Sequence, residues 1–442
     1  MKIIKEAFKE IQEHLGTQKY NIGDSFHESV FLVKEQLKNG ELLYNTFTGE
    51  IILSDSVDDN KFLKDKWYFI SDTYDEFEIL EDIRKRLSNI ESRTEISTYT
   101  IFPTTDCNAS CFYCFEEGRK KVNMNKATAE QVANFILKNS KKESVTIRWF
   151  GGEPLYNRMA IDCICAILNE NNVKFSSKMA TNGFLFSQNI IEIAYRDWHL
   201  DHIQITLDGT EDNYNKTKQF RCAKTINPFK KVLNNIEILS SKGIQITIRL
   251  NIDLNNIFDQ INLTNDVLIK RFGKINNVKV YSHLLMKTLI SENRQDRKLL
   301  FKLKEKLDNL LYENGLSCHT QTRQKFKLYR CISDNKKSIT ILPGGEIGLC
   351  EHYSENHFIS SINNFQSINQ NEVSFLRERL SNIPICSNCA FFPFCIRLKC
   401  CPDSGICYDE VKEQNLQNLH RELLAEYDFY TRKENIENTV LI

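Results

Sequence analysis

The sequence predicts an α/β fold built on a parallel sheet, and two patterns in its central part lead to that prediction. From Thr98 onward, short strands rich in β-branched residues alternate with amphipathic helices, and six such strand–helix units follow in series. Strands separated by helices pair in parallel with right-handed crossovers, which gives either an open doubly wound sheet or a barrel. In both folds, catalytic and ligand-binding residues lie where the carboxyl ends of the strands lead into loops. The six predicted strands are 99–102, 145–149, 175–180, 203–207, 244–251 and 278–281.

The composition is that of a folded, electrically balanced chain. Its 442 residues suggest two or three domains, and 41% hydrophobic residues are enough for sizeable cores. The 58 Lys and Arg residues equal the 58 Asp and Glu residues, so nucleic acid and anionic membranes are disfavoured as partners. No apolar run is long enough to span a bilayer, and residues 1–8 do not resemble an export signal. We therefore expect a cytoplasmic protein whose 15 cysteines stay reduced and serve metal or redox chemistry.

Three regions are predicted along the chain. Residues 1–95 contain short apolar runs between polar helical stretches, which indicates a small α+β domain. Residues 96–314 hold the strand–helix series. Residues 315–442 contain nine of the cysteines and end in a polar helix. Because this third region has little apolar periodicity, metal coordination is the simplest source of its folding free energy.

The first group of cysteines directly follows the first predicted strand of the series. Cys107, Cys111 and Cys114 have the spacing CxxxCxxC on one short loop. Three thiolates can hold three irons of a 4Fe–4S cube and leave the fourth iron open to a ligand with an amine and a carboxylate. A structural zinc site is the alternative interpretation, but it normally needs four protein ligands, and no fourth lies nearby in the sequence.

The second predicted strand ends in a short glycine-rich motif, one strand–helix unit after the cysteine loop. Its residues are Gly151, Gly152, Glu153 and Pro154. Glycines let the backbone approach a ligand closely, and a following carboxylate can bind a cationic amine. Together with CxxxCxxC, this motif resembles the radical S-adenosylmethionine (SAM) enzymes. The resemblance covers most of the chain after residue 97 and implies a partial (β/α)6 barrel, a 4Fe–4S cluster on the three cysteines, and SAM as cofactor.

Polar residues at later strand ends extend this resemblance. It implies that Asn182, Asp208, Arg249 and Asn251 line the pocket for SAM and the substrate. For Asn182 and Asp208, each followed by Gly, ordinary turn chemistry is an equally open interpretation. Arg249 and Asn251 lie on an otherwise apolar strand, where a polar side chain calls for a polar partner.

The C-terminal cysteines resemble the iron–sulfur SPASM extension of radical SAM maturases. The resemblance implies two auxiliary 4Fe–4S clusters. One would be held by Cys386, Cys389, Cys395 and Cys407, and the other by Cys331, Cys350 and Cys401. Cys400 is the substitute for Cys401, because the family spacing at this point is not kept. The second cluster either takes Cys318 as its fourth ligand or keeps an open iron, and a zinc site at the CxxC pair is the competing interpretation.

A carboxylate directly follows one of these cysteines. Glu351 comes after Cys350, where sulfatase-maturing relatives place an Asp that acts as a base. A carboxylate beside an auxiliary cluster could accept the proton released when a substrate radical is oxidised. We therefore take Glu351 as the candidate catalytic residue, with a merely solvated glutamate as the alternative.

The resemblance also implies a substrate class. A SPASM maturase would use a 5′-deoxyadenosyl radical to abstract hydrogen from a precursor peptide and install a thioether or carbon–carbon cross-link or a related modification. Its N-terminal domain, winged-helix-like, would recognise a leader peptide on a sheet edge or would only cap the barrel. Flavodoxin or ferredoxin would donate electrons. The alternatives are formylglycine formation of the anaerobic sulfatase-maturase type, and a noncatalytic iron–sulfur or zinc module that binds peptides.

Overall fold

The computed structural model falls into two units, each formed by separate stretches of the chain. One unit contains the described residues up to 90, together with Cys331 and the stretches 386–395 and 407–440. The other, here called the barrel unit, contains the remaining described residues between 96 and 376. The structure describes residues 1–13, 15, 23–54, 60–90, 96–140, 145–221, 226–289, 292–317, 331–333, 337–352, 357–376, 386–395 and 407–440.

The N-terminal part of the first unit is a small α+β assembly. Four antiparallel strands form a sheet in the order β1-β5-β4-β3, and β2 pairs with β6. Asn45 closes the turn between β4 and β5, because its side chain accepts hydrogen bonds from the backbone N–H groups of Phe47 and Thr48. The elements are β1 (Lys2–Lys5), α1 (Lys9–Gln12), β2 (Phe26–Glu28), β3 (Leu32–Leu37), β4 (Gly40–Asn45), β5 (Ile51–Ser54), α2 (Asn60–Asp65), β6 (Phe69–Ser71) and α3 (Glu76–Ile90).

The barrel unit contains six parallel strands that pair in chain order, so the predicted α/β fold is confirmed. Each predicted strand lies within or overlaps an observed one. One helix begins with a polar cap: Asn227 accepts a hydrogen bond from the N–H of Lys230, and Pro228 is the first helical residue. The elements are β7 (Thr98–Thr104), α4 (Lys126–Asn139), β8 (Val145–Gly151), α5 (Arg158–Glu170), β9 (Phe175–Thr181), α6 (Gln188–Arg196), β10 (Leu200–Leu207), α7 (Glu211–Lys218), α8 (Pro228–Ser241), β11 (Gln245–Ile252), α9 (Ile257–Leu263), α10 (Ile269–Phe272) and β12 (Val278–Leu284).

The two faces of this sheet differ in polarity. On β10, Ile203, Ile205 and Leu207 are fully buried, whereas the intervening Gln204 and Thr206 are half-buried. The same alternation runs through the neighbouring strands and places an apolar layer on one face. Polar side chains are thereby left on the other face, near the strand ends.

The sheet continues past the first of these six strands. β13 pairs with β7 in parallel, on the side opposite β8, and β14 and β15 follow in antiparallel order. Cys350 comes two residues after β14, so this cysteine belongs to the barrel unit although it lies in the predicted C-terminal region. The remaining elements of the unit are α11 (Met286–Leu289), α12 (Arg294–Glu313), β13 (Ser338–Ile341), β14 (Glu346–Gly348), β15 (Ser360–Ser361) and α13 (Gln370–Leu376).

The last helix belongs to the first unit. It is α14 (Asp409–Val440), and its buried Leu419 and Leu423 pack against Val33 of β3 and Tyr44 of β4. It therefore covers part of the four-stranded sheet. Among the helices that the structure describes, none has the length and apolar character needed to cross a bilayer.

Candidate metal and cofactor site

The cysteine loop joins β7 to α4 at the carboxyl end of the parallel sheet. Local hydrogen bonds fix its first turn: the Thr104 hydroxyl accepts from the N–H of Asp106, and the Asp106 carboxylate accepts from the N–H of Cys107 at 2.8 Å. Cys107, Cys111 and Cys114 are all half-buried. The loop thus presents three thiols from one short stretch at the end of the sheet where functional groups were expected.

The three thiols are partly shielded from water, and their charges influence one another. Burial raises the pKa of the Cys107 thiol to about 12, and Glu153 and the other two thiols contribute to that rise. Burial also raises the pKa of Cys114. Thiolates in such a place need a cation, and the donor set fits iron of a 4Fe–4S cluster, in which each thiolate binds a different iron. Within the described ranges, no three His, Cys, Asp or Glu side chains are arranged to hold a single metal ion.

The glycines of the Gly-Gly-Glu-Pro motif allow β8 to lie directly against this loop. Gly151 has φ +107°, and a Cβ there would lie 2.3 Å from the Thr104 carbonyl oxygen. A Cβ on Gly152 would lie 2.2 Å from the carbonyl oxygen of Asp106. The backbone N–H of Glu153 donates to that same oxygen at 2.9 Å. The motif therefore sets the position of the cysteine loop as well as its own.

Glu153 is completely buried and joins two strand ends. Its carboxylate accepts hydrogen bonds from the Thr181 hydroxyl at 2.7 Å and from the N–H of Asn182 at 2.8 Å. Burial raises the pKa of Glu153, and these donors oppose that rise. Pro154 then begins a short 3-10 turn, Pro154–Asn157. Both carboxylate oxygens thus have protein partners, while the predicted contact of Glu153 with a cofactor amine stays a prediction.

Asn182 serves its own turn and also reaches the cysteine loop. Its carbonyl oxygen accepts from the N–H of Phe184, as turn chemistry predicts, and its amide group donates to the side-chain oxygen of Asn108 at 2.7 Å. The amide nitrogen of Asn108 is buried and has no hydrogen-bond partner among the described residues. A buried donor without an acceptor is costly, so this position fits a ligand that supplies one.

Asp208 is the centre of a buried polar network. Its carboxylate forms an ion pair with Lys218 at 2.7 Å and accepts hydrogen bonds from the Tyr113 hydroxyl at 2.6 Å and from Asn251 at 3.1 Å. Arg249 continues the network, because its Nε donates to the Asn251 side-chain oxygen at 2.9 Å and another nitrogen lies 2.9 Å from His283 Nδ1. The structure therefore brings the predicted Asp208, Asn251 and Arg249 together across two neighbouring strands.

Sequence reasoning missed two members of this network, Lys218 and His283. Lys218 lies in the last turn of a polar helix, where a lysine is ordinarily solvated. The available signal was its spacing: Lys218 follows Tyr214 by four residues, so the two share one face of α7, and both are buried. His283 was visible only as a polar residue near the end of the sixth strand.

Glu351 lies in the barrel unit and is mostly buried. One carboxylate oxygen is 3.7 Å from Arg148 of β8, and its side chain is 14% exposed. The other oxygen is buried and lacks a hydrogen-bond partner within the described part of the chain. The ring of the adjacent His352 packs against Phe115 of the cysteine loop, with centroids 4.6 Å apart. The segment after Cys350 therefore lies against the loop that carries Cys107, Cys111 and Cys114.

The four cysteines predicted for the first auxiliary cluster lie in the other unit. Cys386, Cys389, Cys395 and Cys407 are half-buried. Burial raises the pKa of Cys389, and the nearby thiols of Cys395 and Cys407 raise it as well. This donor set also fits an iron–sulfur cluster. Of the other predicted ligands, Cys331 and Cys350 are half-buried, and Cys318, Cys400 and Cys401 lie outside the described residues.

The fold and site together define an α/β domain with a three-cysteine loop at the end of its first parallel strand. Residues 101–257 match the model of the radical SAM superfamily. The chain therefore contains a radical SAM domain, and the resemblance drawn from its motifs is confirmed. Such a domain implies SAM and a 4Fe–4S cluster as cofactors.

Curated relatives match part of the chain. Radical SAM cyclopropyl synthase TigE of Paramaledivibacter caminithermalis is 29% identical over 186 residues, which cover 37% of this chain and 39% of the relative. A probable GTP 3',8-cyclase of Methanocaldococcus jannaschii is 33% identical over 143 residues, which cover 32% of this chain and 46% of the relative. The chain thus spans less than half the length of both relatives.

Solved structures share the fold at low sequence identity. One is anSMEcpe with bound AdoMet, with a TM-score of 0.56 and 15% identity, covering 75% of this chain and 96% of that one. Another is anSMEcpe with AdoMet and the Cp18Cys peptide, with a TM-score of 0.54 and 17% identity, covering 78% and 99%. A third is Streptococcus suis SuiB bound to precursor peptide SuiA, with a TM-score of 0.50 and 15% identity, covering 84% and 94%. The shared architecture is a mixed α/β fold with a parallel core.

Proposed function

We propose that this chain is a radical SAM/SPASM enzyme that abstracts hydrogen from a precursor peptide and installs a thioether or carbon–carbon cross-link or a related modification. One observation carries the proposal. The half-buried thiols of the CxxxCxxC loop lie at the carboxyl end of a parallel sheet, and hydrogen bonds tie that loop to the ends of three further strands. Such a site can hold a reactive cofactor in a fixed position.

The chain's own residues have separate tasks in this proposal. Cys107, Cys111 and Cys114 would hold the cluster, which together with SAM supplies a one-electron cleavage and a hydrogen-abstracting radical. Gly151 and Gly152 set the loop against β8. The residues proposed to contact SAM are Gly151, Gly152, Glu153, Pro154, Asn182, Asp208, Arg249 and Asn251. Hydrogen bonds join Glu153 to Asn182, and Asn251 to both Asp208 and Arg249. These bonds fix the side chains before a ligand arrives, which lowers the cost of orienting it.

The C-terminal cysteines would hold two auxiliary clusters, with the ligand sets given above. Glu351 would accept a proton from the substrate. Its support is the carboxylate oxygen without a partner among the described residues, beside Cys350 and opposite Arg148. Arg148, 3.7 Å from the other carboxylate oxygen, would orient the Glu351 side chain.

A peptide substrate suits the first unit as well. Among the described strands, β3 pairs with β4 and with no other, so it forms an edge of its sheet. An extended leader peptide can add a strand to such an edge. SuiB and anSMEcpe, whose folds are similar, are named in complexes with peptides.

The test of enzyme activity uses anaerobically reconstituted protein with SAM and dithionite. We expect 5′-deoxyadenosine by liquid chromatography, and none from the matched Cys107→Ala variant. Co-expression with a short reading frame from the same gene neighbourhood, followed by mass spectrometry, identifies the modified peptide. If the clusters are intact but no 5′-deoxyadenosine forms, the proposal is wrong. The noncatalytic peptide-binding module is then the interpretation that is left.

A second candidate is formylglycine formation in a sulfatase. It is favoured by the carboxylate after Cys350 and by the fold shared with anSMEcpe. A sulfatase-derived peptide with a target Cys separates the two candidates. Aldehyde formation, detected by hydrazide labelling, supports this candidate, whereas a cross-link in the co-expressed precursor supports the first.

A further inference from the structure

A lysine ammonium group is buried beside the cysteine loop. Lys218 is 3% exposed, and its Nζ lies 2.7 Å from an Asp208 carboxylate oxygen and 3.0 Å from the Tyr113 hydroxyl. Tyr113 is the residue between Phe112 and Cys114, so this hydroxyl belongs to the loop itself. A buried charge is retained in a fold only when its partners offset its lost hydration.

The charge of Lys218 interacts with groups of the cysteine loop. Burial alone would lower the pKa of Lys218, but the Asp208 carboxylate and then the Cys111 thiol raise it, with a net value well above the usual one. The ammonium group is thus paired with a carboxylate and contacts, through Tyr113, the loop that carries Cys111. A charge that is buried away from bulk water acts more strongly on its neighbours than a hydrated one.

The backbone around Lys218 also holds the loop. The N–H of Ser110 donates to the Lys218 carbonyl oxygen at 2.9 Å, and the N–H of Arg221 donates to the carbonyl oxygen of Asn108 at 2.9 Å. These bonds do not involve the Lys218 side chain. Substitution of that side chain therefore removes its charge while the backbone support of the loop is retained.

We propose that Lys218 is a positioning residue that holds the loop through Tyr113 and raises the reduction potential of the cluster on Cys107, Cys111 and Cys114. This inference rests on the proposed function only in assuming that the cluster is there. Reduction adds one negative charge to a cluster, and net charge and hydrogen bonding around it set its potential. A fixed cation nearby favours the reduced form, and the Asp208 carboxylate opposes this effect.

Substitution of either member of the ion pair is therefore expected to shift the reduction potential of the cluster, in opposite directions. Lys218→Gln is expected to shift the potential to a more negative value, because it removes the cation and leaves the carboxylate. Asp208→Asn is expected to shift it to a more positive value, because the cation then acts unopposed. A purely structural role predicts no such opposition of sign.

The experiment is a redox titration of the whole reconstituted protein without SAM, followed by electron paramagnetic resonance. The relevant signal is the one lost in Cys107→Ala. Lys216→Gln is the matched control, because Lys216 is exposed on the same helix and loses the same charge. Lys218→Arg keeps the charge and is expected to leave the potential near that of the wild type.

Each outcome decides the inference. Opposite shifts in Lys218→Gln and Asp208→Asn, with none in Lys216→Gln, support it. An unshifted potential in Lys218→Gln, or equal shifts in the lysine variant and its control, overturns it. If Lys218→Gln fails to retain iron, retention in Lys218→Arg supports the role of the charge, and equal loss in both contradicts it. Wild-type protein with this signal but without 5′-deoxyadenosine formation contradicts the proposed function alone.

Discussion

The cysteine loop of the barrel unit and the cysteines near residue 390 lie in contrasting surroundings. The first is surrounded by ionisable and amide groups, with Asp208, Lys218 and Glu153 all buried close to it. The second is embedded in aromatic side chains: Cys386 and Cys389 pack against a core that includes Phe31, Phe47, Trp67 and Phe392. The first cysteine loop therefore lies among charged side chains, whereas Cys386 and Cys389 are packed against an apolar core.

Hydrogen bonds also join the segment around residue 390 to the N-terminal α+β assembly. Arg84 of α3 is 1% exposed and donates to the Pro393 carbonyl oxygen at 2.7 Å. The Thr46 hydroxyl donates to the carbonyl oxygen of Ala390 at 2.5 Å. The N-terminal α+β assembly and the turn that carries these cysteines therefore share one core. A metal cluster in this position would contribute to the folding of the unit, because ligand binding supplies folding free energy.

The largest expected effect is that of Cys107→Ala. It removes a thiolate that has no substitute on the loop, so formation of 5′-deoxyadenosine should fall below detection. Because this loop is held by polar groups of the barrel unit, hydrogen exchange in α3 should be unchanged. Mass-spectrometric exchange measurements check the second expectation, and faster exchange in α3 contradicts the contrast between the two sites.

Gly152→Ala is expected to have the next largest effect. The added Cβ would lie 2.2 Å from the Asp106 carbonyl oxygen, so the cysteine loop must move. A displacement of about 1 Å at a catalytic site can lower a rate by about 10²-fold. We expect a loss of this order in 5′-deoxyadenosine formation, measured at matched iron content. Gly243→Ala is the control, since a Cβ at that position would have no neighbour within 4 Å, although its φ of +82° adds backbone strain of its own.

The double substitution Cys386→Ala and Cys389→Ala tests the aromatic site. Iron content should fall, and hydrogen exchange should accelerate in α3 and in residues 31–47, which share its core. Cys163→Ala is the control, because Cys163 lies half-buried on α5, away from either cysteine group in the sequence. Unchanged exchange despite lost iron would show that the cluster is not part of this core.

The smallest expected effect is that of Arg84→Met. It leaves the Pro393 carbonyl oxygen buried without its donor, and an unsatisfied buried group costs about 1–3 kcal/mol. The free energy of unfolding, measured by chemical denaturation, should fall by this amount. Lys85→Met is the control, because the Lys85 side chain is 71% exposed and its pairing with Asp82 should contribute little. An equal loss in the control contradicts the role assigned to Arg84.

Much of the barrel could be predicted because each strand carries a local signal. Ile203, Ile205 and Leu207 alternate with polar residues, and Asn227-Pro228 marks a helix start. The cysteine loop and the Gly-Gly-Glu-Pro motif were equally local, because their chemistry depends on spacing within a few residues.

The features that escaped prediction depend on distant partners. The strand Ser338–Ile341 is only four residues long, and its partner β7 lies far away in the sequence. Lys218 and Arg84 lie on helices with many exposed polar residues, and only the folded chain shows that their charges are buried. Periodicity identifies which face of a helix is apolar, but it does not reveal a buried charge whose partner comes from another element.

The pairing of β13 with β7 has a consequence for how the chain can be divided. In a fragment that stopped before Ser338, β7 would become an edge strand, with unpaired backbone groups directly before the cysteine loop. Such an edge favours pairing with other copies of the fragment and hence aggregation. Dissection of the catalytic half should therefore retain the chain through β14, so that the strand leading into Cys107 keeps both of its neighbours.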